Sequence, residues 1–148
     1  MAVTNTAAFG QVPNIGQAIL TAAQAAPLSG ATTGGSNNKM LLFTAGSNGS
    51  IVNGIAAIPR NTLSSAAHIA IYYSTDSGTT NNLCAIGLLA AWTFSATTAP
   101  TPLNIANLNG SIISVANPLY VPAGNKLYAS SSQALSDGIL VTADGIDL

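Results

Sequence analysis

Residues 39–58 read KMLLFTAGSNGSIVNGIAAI, and this stretch decides the fold class. An apolar run of strand length (39–45) meets Gly46-Ser47-Asn48-Gly49, and a second run (50–58) stops at Pro59. Two such runs around a Gly/Asn/Ser connection spell a β-hairpin. Proline cannot donate to a sheet ladder, so Pro59 closes the second strand. In that strand Ile51, Ile55 and Ala57 share one parity, and Val52, Ala56 and Ile58 share the other. Both faces are therefore apolar, which suits a strand covered on two sides.

The same grammar extends outward. Residues 67–74 (AHIAIYYS) predict a strand with Ile69, Ile71 and Tyr73 on one face and His68, Ala70 and Tyr72 on the other. Residues 83–94 (LCAIGLLAAWTF) predict a long strand, bent at Gly87. A loop with Pro100 and Pro102 follows, then a short strand at 111–115. Residues 118–122 and 126–132 flank a turn at Ala123-Gly124-Asn125, and 138–143 form the last strand. Turn dipeptides punctuate the chain, among them Asn48-Gly49, Asn53-Gly54, Ser77-Gly78, Asn109-Gly110 and Asp137-Gly138. There is no Glu, and other strong helix formers are scarce. The expectation is an all-β protein, an antiparallel β-sandwich or jelly roll, with an extended N-terminal arm.

Residues 1–36 carry no charge and form the arm, the first strand and a linker; residues 37–148 form the sandwich domain. Within the arm Ile15, Ala18, Ile19, Ala22 and Ala26 fit a helical period, while Ala18, Leu20 and Ala22 fit a strand. We read an extended strand that starts the sheet. Residues 1–14 are expected to lie on a neighbour or to be disordered.

Seven formal charges in 148 residues, three Lys or Arg and four Asp, bound the function. Soluble domains carry about 25% charged residues; here the figure is 5%. Monomers use surface charge to stay apart from their copies, so a chain without it is expected to work with its surface covered. Three scattered cations make no phosphate-binding groove, which argues against nucleic acid. No Cys/His spacing suits zinc, and no phosphate-loop or nucleophile-elbow motif occurs, so neither cofactor nor enzymatic activity is expected. His68 and Cys84 lie on neighbouring predicted strands, but a buried thiol and a strand histidine account for them. Asp137 and Asp144 precede Gly, as turns require. The uncharged run 77–125 has no apolar stretch near the roughly 20 residues that a membrane helix needs. Residues 1–11 (MAVTNTAAFGQ) hold no basic segment and no continuous apolar run, so a signal peptide is not expected of them. Tyr72, Tyr73, Trp92, Tyr120 and Tyr128 are candidates for stacking on sugars, with packing as their ordinary role.

Three motifs carry a resemblance. Leu42-Phe43-Thr44-Ala45-Gly46-Ser47-Asn48-Gly49-Ser50, then Pro122-Ala123-Gly124, then Asp144-Gly145-Ile146-Asp147-Leu148 occur in order over residues 40–148. The pattern resembles the small β-proteins of tailed bacteriophage particles; residues 75–117 match nothing in it. The resemblance implies a virion structural protein, a capsid decoration or cement protein on the capsid surface. It also implies a homotrimer bound to the major capsid protein or other virion proteins. The contacts are expected from Phe9, Val12 and Ile15 in the arm and from Pro100, Pro102 and Leu103 in the loop. The alternative is a tail or fibre β-module that binds host surface glycans.

Overall fold

Both strands expected within 39–58 form, but not as a hairpin: they pair with different partners in opposite sheets, and the Gly46–Gly49 turn links the sheets. The computed structural model describes residues 12–24 and 38–148. Strand β2 (Met40–Thr44) turns through a Gly49 N–H to Gly46 O bond of 3.1 Å into β3 (Ser50–Pro59). Before them lies β1 (Val12–Leu20). After them come β4 (Ala67–Ser74), β5 (Asn82–Leu89), β6 (Leu103–Asn104), β7 (Ala106–Asn107), β8 (Leu119–Val121), β9 (Lys126–Ser131) and β10 (Ile139–Asp147). The described residues contain no helix.

The strands form two antiparallel sheets. The first runs β1-β10-β3, with β6 and β8 each pairing to β3. The second runs β2-β9-β4-β5-β7. Their inner faces enclose one core that includes Leu20, Phe43, Val52, Ile55, Ile69, Ile71, Ile105, Leu127, Ile139 and Val141, all nearly inaccessible. The molecule is an all-β sandwich.

Bulges correct the parity read from the sequence. In β3 the register to β10 slips between Gly54 and Val52, leaving Asn53 unpaired. Asn53-Gly54, read as a turn, is thus a bulge. It moves the core side chains from Val52 to Ile55 and Ala57, while Ile51 and Ile58 stay half-exposed. The bend expected at Gly87 belongs to Cys84, which the β4–β5 register skips. Gly87 stays paired with Ile69. A Cβ there would lie 2.8 Å from Leu103 and 3.0 Å from Ile105, so its role is close approach. Strand β5 also ends at Leu89, short of the expected residue 94. Residues 111–115 form only isolated bridges, Ile112 with Ala106 and Ser114 with Asn117.

The arm differs from its expectation as well. Residues 12–14 already belong to β1, which pairs with β10 from Val12↔Asp147 to Leu20↔Ile139. Its alternation puts Gly16, Ala18 and Leu20 inward and Ile15, Gln17 and Ile19 outward, while Val12, on the inward parity, is exposed at the strand's start. Along this edge β1 crosses directly onto β2 of the other sheet. A Cβ at Gly16 would sit 2.0 Å from the Leu42 carbonyl oxygen, so only glycine permits the seam. Beyond β1, Ala23 bridges Ser131 in parallel, and Gln24 N–H donates to Ser131 O at 2.7 Å. The chain therefore passes from the edge of the first sheet to that of the second.

Candidate interaction face and groove

Sheet register builds a surface that strand-by-strand reading does not reveal. Ile19 pairs with Leu140, and Leu140 pairs with Ile58. These three branched side chains form a row across β1, β10 and β3 on the outer face of the first sheet. The next rows are Gln17-Thr142-Ala56 and Ile15-Asp144-Gly54. Ile19 is 41% exposed and Ile15 67% exposed, while Leu140 and Ile58 are intermediate. Cross-strand neighbours on one face sit about 4.5–5.5 Å apart, so the row is continuous apolar surface.

Ile58 also belongs to a groove of about 560 Å³ at the end of β3. Pro59 and Arg60 form one wall, Trp92 and Phe94 a second, and the Ser95–Pro100 segment a third. Trp92 is fixed by two backbone bonds to Leu63, of 2.8 and 2.9 Å. The Phe94 N–H donates to Thr62 Oγ1 at 2.9 Å. The two rings meet edge to face with centroids 5.9 Å apart. Ser95 Oγ accepts from the Thr97 and Thr98 amides at 3.3 and 3.2 Å, curling the hydroxyl-bearing loop around the groove. Arg60 Nη1 donates to the Asp137 carbonyl at 3.0 Å, and the Asp137 carboxylate accepts from Asn61 Nδ2.

At the other end of the sandwich, Asp147 joins several elements. Its Oδ1 accepts from Ser50 Oγ, from Asn14 Nδ2 at 2.8 Å and from the Gly46 amide at 3.2 Å. Asn14 also donates to Thr44 O at 2.9 Å, which binds β1 to β2 across the seam. These donors, Ser50 first and Asn14 next, hold the Asp147 carboxyl below its ordinary value.

The expected contact residues separate. Val12 and Ile15 stand exposed on β1. Pro100 lines the groove and Pro102 is exposed. Leu103 lies in β6 and packs against the core, because Gly87 leaves room for it. Phe9 lies outside the described residues. Sequence reasoning missed the groove; the signal was the sequence Trp92-Thr93-Phe94 followed by a Ser/Thr-rich loop. Further exposed apolar side chains occur on the 107–118 connection, where Val115 is 81% exposed beside Leu108 and Ile112.

His68 and Cys84 do not come together. His68 pairs with Leu88, whereas Cys84 sits at the bulge opposite Ile71 and Tyr72, four residues along the strand from Leu88. At about 3.3 Å per residue the separation exceeds hydrogen-bond reach. Cys84 packs against the core and donates through Sγ to Ile71 O at 3.4 Å. Burial pushes its thiol up to about 12, so it stays protonated near neutral pH. The described residues hold no group of three or more His, Cys, Asp or Glu able to bind a metal ion. No protein-family model matches the chain, and no curated protein matches it significantly.

Proposed function

We propose that this chain is a virion structural protein, a capsid decoration or cement protein that acts as a homo-oligomer through protein–protein contacts. The observation that carries the assembly part is the apolar row Ile19-Leu140-Ile58 on the outer face of the first sheet. It lies on a chain with only seven charged side chains to oppose association. Exposed Ile15, on the same face of β1 as Ile19, extends this surface along the strand. Burying apolar area contributes about 25 cal/mol per Å² before the costs of association. Many copies of a modest contact then stabilise a shell.

The virion part rests on the three resembling motifs. They fall at the β2–β3 connection, at the turn between β8 and β9, and at the close of β10. The nested pairing of β1 and β3 with β10, and of β2 and β4 with β9, supports reading the sandwich as a jelly roll, an architecture that recurs in viral capsids. Trimers suit three-fold positions of a shell.

Light scattering after gel filtration tests the reading. The expected result is a trimer that Leu140→Lys converts to monomer with an unchanged circular dichroism spectrum. A wild-type monomer at all accessible concentrations would overturn it.

A further inference from the structure

We propose that the groove between Pro59-Arg60 and Trp92-Phe94 is a binding site for a carboxylate-bearing pyranose, an acidic sugar. The case begins with the groove's unequal walls. One is aromatic, with Trp92 and Phe94 held edge to face. Another, Ser95–Pro100, carries the hydroxyls of Ser95, Thr97 and Thr98. A pyranose has the matching asymmetry: one face of C–H bonds, which packs on the negative face of an aromatic ring, and a rim of hydroxyls. At about 560 Å³ the groove lies within the range of about 300–1,000 Å³ usual for small-molecule sites.

Charge selects the kind of sugar. Arg60 is the only arginine in the chain, and it lines this groove. No carboxylate lines the groove beside it. One guanidinium nitrogen is anchored to the Asp137 carbonyl, which orients the group from behind. A guanidinium has five N–H donors in a planar fork, and a carboxylate takes two of them at once. The Asp137 carboxylate is engaged by Asn61, and no described carboxylate forms an ion pair with Arg60. A site with one cation, no lining anion and an aromatic floor favours an acidic over a neutral sugar. The groove meets the assembly row at Ile58, but Arg60, Trp92 and Phe94 lie outside the row, so variants at these three test the groove without altering the row.

Trp92 is the only tryptophan, so its fluorescence reports on the groove. The full chain is titrated with N-acetylneuraminic acid and glucuronic acid, then with methyl glucoside and sodium acetate at matched ionic strength. Saturable change with an acidic sugar, and at least tenfold weaker response to methyl glucoside and acetate, is the expected result. Arg60→Gln should weaken the acidic sugar about tenfold. Arg60→Lys, which keeps the charge but loses the fork, should weaken it less. Phe94→Ala, at a ring 56% exposed, provides a second variant that leaves the core untouched; it should also weaken binding. No saturable response to either acidic sugar overturns the proposal. So does equal binding of methyl glucoside, of acetate, or of the acidic sugar to folded Arg60→Gln.

Discussion

The outer faces of the two sheets differ in how far they are buried. On the second sheet Ala70, Tyr72 and Ser130 point away from the core and are nonetheless fully buried. Ser130 Oγ donates to the Tyr72 hydroxyl at 3.2 Å, and the Lys39 ammonium lies 4.2 Å from the Tyr72 ring centre. On the first sheet Ile19, Leu140 and Ile58 occupy the corresponding outward positions and remain partly open. Outward side chains therefore have two outcomes in one molecule. On the second sheet they are buried and tied together by the Ser130–Tyr72 hydrogen bond; on the first the apolar row stays partly open.

The largest expected difference between the faces is in stability. Tyr72→Ala should cost about 3–5 kcal/mol in urea unfolding, as for other buried aromatic truncations. Leu140→Ala, on the open row, should cost about 1 kcal/mol or less for the monomer. Equal losses would mean that the two faces do not differ. A smaller effect concerns the seam where the sheets touch. Gly16→Ala forces a Cβ against the Leu42 carbonyl and should cost about 1–3 kcal/mol as β1 is displaced. An unchanged urea midpoint would show that β1 can shift freely, and that the row through Ile19 is not rigidly placed.

The smallest effect is electrostatic. Hydrogen bonds depress the Asp147 carboxyl below its ordinary 3.8, so the unfolded chain binds that proton more readily. Its contribution is present above pH 3.8 and is lost as pH falls through the lower, folded-state value. Asp76, depressed chiefly by the Thr80 amide, behaves in the same sense. Melting temperature should fall below about pH 4, and Asp147→Asn should flatten part of that fall. A profile identical to wild type would show that the Asp147 cluster does not couple the two sheets.

The parts legible in the sequence were those with local causes. Strands β2, β3, β4 and β9 are apolar runs bounded by Gly, Asn or Pro, and each forms close to where it was expected, whereas the hairpin expected of β2 and β3 does not form because each pairs in a different sheet. What escaped was set by distant partners. Cys84 bulges because the register of β4 demands it, and nothing near Cys84 announces this. The two-residue strands β6 and β7 exist only because β3 and β5 offer ladder positions. The outer row could not be read because Ile19, Ile58 and Leu140 come together only through pairing across the whole chain. The groove failed for a related reason: Trp92 and Phe94 were assigned to a continuing strand, whereas the Leu63 bridge fixes the chain beside Arg60.

The placement of β10 also bears on synthesis. It lies between β1 and β3, so the first sheet has no centre until the end of the described chain has been made. Asn14 waits 133 residues for Asp147. Closing such distant pairs is slow, on the order of milliseconds to seconds for β-sandwiches. During translation β1 and β3 stand without their shared neighbour, each with apolar side chains and open ladder groups. Nascent chains on adjacent ribosomes would present the same vacancies to one another. Correct assembly therefore depends on β10 of each chain arriving before a neighbour's strand does.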